Sequence, residues 1–186
     1  PWSGNVAKLI NQNVELQLTR GCGIFFESQL VSQAINRCRI PNNNDIMCPS
    51  DKVSLWGTTS EIVNDPNTTK INPYEIQDLL NGAEKLFPNI RDFRSFRAWA
   101  GVRPLVKDKN SEVGKPLSRS HSVIDHEING LKNVLTVCGG SLTTHRSMAE
   151  DVVNRIGNKF RINTPCSTSY TYPLNKKETS WKPTLN

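Results

Sequence analysis

The sequence predicts an α+β chain: an antiparallel β-sheet with one helix packed on it, followed by a strand–turn–helix unit. Three observations lead there. Short alternating or apolar stretches, bounded by Gly, Asn and Pro, fill most of the first 130 residues. One strongly signalled helix, 73–87, interrupts them. A single stretch at 134–153, VLTVCGGSLTTHRSMAEDVV, passes from a β-prone run through two glycines into helical spacing.

Taken in order, residues 6–10 suit one or two helical turns. Val14-Glu15-Leu16-Gln17-Leu18 alternates and reads as a strand, expected to stop at Arg20-Gly21-Cys22-Gly23, with a second apolar strand over 24–31. Asn42-Asn43-Asn44 is a turn. Residues 45–49 and 53–59 read as antiparallel strands joined around Pro49-Ser50-Asp51, and 64–70 is polar loop. Asn72 is an N-cap type, Pro73 suits the first helical position, and Glu75 stands three residues after the cap, as in a capping box. Ile76, Leu79, Leu80 and Ala83 make the apolar stripe of this helix, which Pro88 prevents from running past Phe87.

Residues 93–105 are extended. A period of two places Arg97, Trp99, Gly101 and Arg103 on one face, and Phe96, Ala98, Ala100 and Val102 on the other. Two guanidinium groups beside a Trp are unusual for a core strand; a solvated outer face is the plainer explanation. After a polar loop at 107–115, residues 118–126 and 132–138 read as a hairpin around Asn129-Gly130. Gly139 and Gly140 allow a tight turn, and Thr143 and Thr144 are N-cap types. Met148, Val152, Val153 and Ile156 then recur at helical spacing, with Gly157 expected to stop the helix. Such a unit aims free N–H groups and partial positive charge at whatever lies over the turn, although an ordinary strand–turn–helix has the same pattern. Residues 170–186, rich in Pro, Thr, Lys and Ser, read as a linker or tail, and no internal repeat is present.

Composition narrows the function classes. The 186 residues are 36% hydrophobic and 22% charged, as expected of a globular chain with a substantial core. No apolar run approaches the roughly 20 residues that span a bilayer, and no charged-then-apolar leader is read at the start. Five cysteines without a CxxC pair argue against a disulfide framework or a zinc site and fit a reducing cytosol. The net charge of +6 comes without a dense Lys/Arg run, so nucleic acid is not expected as a partner. A scattered basic surface or an anionic small substrate accounts for it better. Of the three histidines, His126 reads as structural. His121, two residues past Arg119 on one strand face, is a candidate proton acceptor, though a structural role is the more ordinary one. His145 falls in a first helical turn, where the dipole disfavours a positive imidazole.

Several separated motifs, in order, carry a resemblance. Ala100-Gly101-Val102-Arg103-Pro104-Leu105, Ser118-Arg119 with Asp125-His126, and Gly139-Gly140-Ser141-Leu142-Thr143-Thr144-His145-Arg146 with Met148-Ala149-Glu150 are similar to FAD-dependent glycerol-3-phosphate dehydrogenases. Ile35-Asn36-Arg37-Cys38-Arg39, Asp45-Ile46 and Gly57-Thr58-Thr59-Ser60 look most like the large subunit of the anaerobic form. The resemblance runs from Pro1 to about Cys166. There is no GxGxxG in the chain, so it resembles the latter part of a longer subunit.

The resemblance implies a substrate-binding antiparallel sheet over 1–130, a strand–turn–helix piece of a split FAD-binding domain over 131–160, and a linker or tail over 161–186. It implies that Arg103 and Arg119 are the catalytic arginines, two guanidinium forks suited to a phosphate ester. Gly139, Gly140, Ser141, Leu142, Thr143 and Thr144 would be the flavin-contacting loop, and Arg20-Gly21 would match a Lys-Gly pair near the flavin. Three residues depart from the pattern: Ser141 stands for the lysine of GGK, His145 for a tyrosine, and Arg20 for a lysine. The implied activity is oxidation of sn-glycerol 3-phosphate to dihydroxyacetone phosphate with FAD as cofactor. Electrons would pass to quinone through electron-transfer and membrane-anchoring partner subunits, which places the protein in the cytoplasm or peripherally on the inner face of the cell membrane. A related FAD-dependent amine or amino-acid oxidase would use one arginine as a carboxylate clamp with an aromatic lid. A non-catalytic basic binding module would need a contiguous Lys/Arg face.

Overall fold

The computed structural model describes residues 1–39, 44–106 and 120–166. Its contacts divide the chain into two units, Pro1–Ser118 and Arg119–Asn186. Asn42 and Asn43 of the expected turn, the 107–115 loop, Ser118, Arg119 and the 170–186 tail lie outside the described residues.

In the first unit a short helix, α1 (Ser3–Leu9), precedes a sheet built around β1 (Leu16–Phe26). Along one edge of β1 runs β6 (Ser95–Val106), antiparallel, from Leu16↔Val106 to Phe26↔Ser95. The other edge is shared: β5 (Glu61–Val63) pairs with residues 18–20 and β4 (Val53–Gly57) with residues 23–26. Beyond β4 lie β3 (Ile46–Ser50) and β2 (Ile35–Asn36). The β3–β4 hairpin is the one its sequence announced, whereas β2 and β5 are too short to show a period.

The expected break at Arg20-Gly21-Cys22-Gly23 does not occur; β1 passes straight through it. The glycines mark close approach rather than a turn. A Cβ on Gly21 would run into the guanidinium of Arg103. One on Gly23 would lie 2.9 Å from Nε1 of Trp99 and 3.0 Å from the carbonyl of Trp56.

The single sizeable helix of this unit, α2 (Pro73–Glu84), opens as expected: the N–H of Asn72 donates to Oε2 of Glu75 at 2.9 Å. It ends three residues before Phe87, because the N–H groups of Leu86 and Phe87 both turn back to the carbonyl of Ala83. Leu79 and Ala83 are fully buried against Cys22, Ile24, Phe26, Met47, Trp56 and Ile90, and Ile76 and Leu80 flank them. Each large side chain in this layer contributes about 1.5–3 kcal/mol by leaving water. Ile90 reaches the core from a 3₁₀ turn, Ile90–Asp92. The register pairs Cys22 with Ala100 and Ile24 with Ala98 on this inner face, and Thr19 with Arg103 and Gly23 with Trp99 on the other. The two faces expected of residues 93–105 hold from Arg97 to Arg103, but the register shifts at Phe25/Phe26, and Phe96, expected on the apolar face, is exposed and packs against Phe25 instead.

In the second unit β7 (His121–Asp125) and β8 (Leu135–Gly139) pair antiparallel, His121 opposite Gly139 and Asp125 opposite Leu135. The pairing is the one read from sequence, but its connection is not a two-residue Asn129-Gly130 turn. A 3₁₀ turn, His126–Asn129, fills it, and Gly130 at φ 86° closes that turn as a left-handed cap. After β8 comes a 3₁₀ turn, Leu142–Thr144, which runs into α3 (His145–Lys159). Gly157 does not stop α3. The helix ends two residues later, where Arg161 adopts φ 58° and the N–H groups of Arg161 and Ile162 return to the carbonyls of Asn158 and Gly157. Across this unit Leu135, Val137, Val152, Ile156 and Phe160 line an open groove of about 340 Å³ between β8 and α3.

Candidate functional site

Four side chains meet where α2 starts beneath β1. Residues of even number in β1 face the helix, so Arg20, Cys22 and Ile24 point inward and Gly21 and Gly23 outward. Arg20 is 4% exposed, and its guanidinium donates to Oε2 of Glu75 and to the carbonyl of Lys70. The other carboxylate oxygen of Glu75 accepts from Oγ1 of Thr59 at 3.0 Å, with the Cys22 thiol at 3.7 Å. Burial on its own would raise the Glu75 carboxyl. The bonds from the Asn72 N–H, Arg20 and Thr59, with the Arg20 charge, outweigh it and hold the group below its usual value. Burial likewise works against the charge on Arg20, and the bond and charge of Glu75 raise it instead. For Cys22 burial dominates and pushes the thiol up, so it stays protonated.

The outward face is different. Arg103 lies across Gly21, where a side chain would obstruct it, and its Nη2 donates to Oγ1 of Thr58 at 2.7 Å while Nη1 donates to the carbonyl of Thr59 at 3.3 Å. Beside it Trp99 covers Gly23, with its indole N–H buried and without an acceptor among the described residues. Gly21 and Gly23 are thus covered by Arg103 and Trp99, and what this face offers a ligand is the half-buried Arg103 guanidinium, a fork suited to an acceptor-rich, anionic group.

In the second unit Gly139 and Gly140 both take φ 72°, which turns the backbone sharply after β8. The amides of Leu142 and Thr143 open the next turn, where N–H groups have no carbonyl one turn earlier to bond. Ser141 is exposed; its N–H donates to Oγ1 of Thr144 at 3.1 Å, and its hydroxyl lies 2.8 Å from that of Thr143. His121 Nε2 is 3.2 Å from Oδ2 of Asp151, whose Oδ1 accepts from Arg155 at 3.1 Å, and Arg155 also donates to the carbonyl of Val123. His126 is fully buried, 2.7 Å from Oγ1 of Thr136, a structural placement. His145 is exposed rather than enclosed, and its Nδ1 donates to the carbonyl of Leu142.

Of the residues singled out from sequence, Gly21 and Arg103 share one face, and Gly139 through Thr144 form one turn. Arg20 is turned to the opposite face from its neighbour Gly21 and is held in the core by Glu75. Arg119 lies outside the described residues. Sequence reasoning missed Thr58, Thr59 and Glu75 as a connected group. Thr58 and Thr59 stood in a motif that carried the resemblance and Glu75 stood at a capping position, but neither signal reveals that the three are joined by buried hydrogen bonds.

Residues 1–155 match the model of the family described as FAD dependent oxidoreductase. The chain belongs to that family of oxidoreductases. Within it, the chain is 33% identical over 171 residues to one subunit of the anaerobic glycerol-3-phosphate dehydrogenase of Escherichia coli (strain K12), covering 90% of this chain and 32% of that protein. It is also 29% identical, over 90% of its own length and 29% of the relative's, to the like-named subunit of the anaerobic glycerol-3-phosphate dehydrogenase of Haloferax volcanii. Among solved structures, the glycerol-3-phosphate dehydrogenase of Bacillus halodurans complexed with FAD has the same fold, with a TM-score of 0.68 at 20% identity over 91% of this chain and 32% of that one. The chain thus spans about a third of the length of these relatives. The α+β architecture, antiparallel sheet, packed helix and strand–turn–helix, is that of this oxidoreductase family.

Proposed function

We propose that this chain is part of a flavoenzyme oxidising sn-glycerol 3-phosphate to dihydroxyacetone phosphate, with electrons passed onward to quinone through partner subunits. The observation that carries the reading is Arg103, held over a side-chain-free strip of β1 in a segment whose relatives carry the glycerol-3-phosphate dehydrogenase name. On this reading the first unit belongs to the substrate-binding region, extending to about residue 130. Residues 131–160 are a piece of the FAD-binding domain and 161–186 a linker.

Arg103 binds the substrate's phosphate or its C2 oxygen, where a planar fork gives both charge and direction. Arg119 supplies the second fork. Gly139 and Gly140, which leave backbone exposed at positive φ, and the amides opening the next turn fit the anionic edge of a reduced flavin. Ser141 adds a hydroxyl there in place of a cation. Within the first unit Gly21 leaves the space that the Arg103 guanidinium takes, and Arg20 is held beneath that strand by Glu75. Bound FAD would supply the acceptor for the hydride lost from C2. The protein's share is orientation, charge and exclusion of water.

The test is steady-state kinetics on Arg103→Ala in the full-length protein. Losing a guanidinium from a bound phosphate costs on the order of 2–5 kcal/mol, so kcat/KM for glycerol 3-phosphate should fall by at least roughly 30-fold with flavin content unchanged. Near-normal kinetics with full flavin would refute the role. A substrate screen that found amine or amino-acid oxidation instead would favour the oxidase reading.

A further inference from the structure

We propose that Thr58 and Thr59 are positioning residues that set the Arg103 guanidinium, and that buried Glu75 fixes them in turn. The proposal rests on the reading of Arg103 as a substrate-binding group, and goes beyond it by assigning what makes that group effective.

An arginine side chain has four rotatable torsions, and holding it in one arrangement forfeits about 2 kcal/mol of rotamer freedom. A ligand that must organise the fork itself binds correspondingly less well. Arg103 is organised before any ligand arrives: Thr58 Oγ1 accepts from Nη2 and the Thr59 carbonyl from Nη1, on consecutive residues. Those acceptors are themselves held. The N–H of Thr59 donates to the carbonyl of Cys22 at 3.0 Å, and the N–H of Cys22 donates back to Oγ1 of Thr59 at 3.0 Å. The Thr59 hydroxyl has its own acceptor in Oε1 of Glu75. With Thr59 5% exposed and Glu75 1% exposed, the helix end of this path lies in the interior, where a displaced polar group finds no water to replace its partner, while Thr58 and Arg103 are half-buried.

The path explains why a carboxylate is buried at the third position of α2. It caps the helix through Asn72, neutralises Arg20, and fixes the strand end that carries Arg103's acceptors. The direction of the Arg103 fork is therefore set by Thr58 and Thr59 before a substrate anion arrives.

The experiment compares Thr58→Val, Thr58→Ser and Arg103→Ala, singly, and Thr58→Val combined with Arg103→Ala, in the full-length protein with glycerol 3-phosphate as the probe. Thr58→Val removes the acceptor with little change of shape at a half-buried position. KM should rise by about three- to tenfold with a smaller change in kcat, while the flavin absorbance ratio and Tm stay at wild-type values. Thr58→Ser, which restores the acceptor, should recover most of the loss, and Thr58→Val should add nothing once Arg103 is alanine. If valine is not tolerated, Thr58→Ala makes the same comparison. Wild-type KM in Thr58→Val beside a crippled Arg103→Ala would overturn the positioning role alone. An equal further loss from Thr58→Val on the Arg103→Ala background would overturn it too, since Thr58 would then act elsewhere. A neutral Arg103→Ala would remove the substrate reading and this proposal with it.

Discussion

Arg20 and Glu75, 55 residues apart in sequence, form an ion pair whose side chains are 5% and 1% exposed. It joins the central strand to the first turn of the only sizeable helix among the described residues of the first unit. A pair this deep is unforgiving of half-removal, because the surviving charge is left without water or partner.

Glu75→Ala should therefore destabilise the protein by about 3–5 kcal/mol, while the combined Arg20→Met, Glu75→Leu replacement should be far milder. Urea unfolding of the three proteins measures both. Equal losses in the single and the double variant would show that packing, not charge, holds the helix to the sheet.

Acid should act through the same carboxylate. Its folded value lies below its usual 4.5, so its contribution is complete above that value and is lost as pH falls through the lower folded one. As pH falls below about 4.5 the wild-type protein should lose stability more steeply than the Arg20→Met, Glu75→Leu variant, by up to one proton's worth of slope. Unfolding midpoints across that range decide it. Parallel slopes would mean that the fold does not lower the Glu75 carboxyl.

Two glycines on one strand should behave differently. At Gly21 an added methyl meets the far end of a flexible arginine, which can move aside; at Gly23 it meets the backbone carbonyl of Trp56 as well as Trp99. Gly23→Ala should cost about 1–3 kcal/mol by overpacking. Gly21→Ala should melt close to wild type yet lower kcat/KM for glycerol 3-phosphate, because Arg103 is displaced. Melting curves beside kinetics separate the two, and a stable, fully active Gly21→Ala would refute the use of that strip.

A second pair of glycines separates backbone strain from collision. Gly130 and Gly140 have φ 86° and 72°, but a Cβ on Gly130 meets open space, whereas one on Gly140 falls 2.5 Å from the sulfur of Met148 and 3.2 Å from Cβ of His121. Gly130→Ala should cost about 1–2 kcal/mol, and Gly140→Ala more than that, loosening the entry of α3. Amide hydrogen exchange along α3 would register the difference; equal protection in both variants would contradict it.

What the sequence made legible follows from the range of each interaction. The α2 start was readable because its signals, Asn72, Pro73 and Glu75, lie within four residues. The faces of β6 were readable because a two-residue period needs no partner. The course of β1 was not: Gly21 and Gly23 look like a turn until Arg103 and Trp99, some eighty residues on, are seen to occupy the space their side chains would need. Gly157 misled for a similar reason, since the helix is ended by Arg161 and not by the glycine. The Thr58–Thr59–Glu75 path lay further still from view, because burial, not residue type, turns a capping glutamate into a connection.

The Arg20–Glu75 pair also shapes which sequences lie within one substitution of this one. Lysine at position 20 keeps the charge, although it gives up the fork that serves Glu75 and the Lys70 carbonyl together. A neutral residue at either position alone leaves a bare ion inside the protein, so an apolar pair, stable as it would be, is reached only by two changes close together. Single changes at position 20 are therefore confined to lysine, which keeps the charge at the loss of one of two bonds, and the residue that imposes this is Glu75, on a helix 55 residues further along the chain.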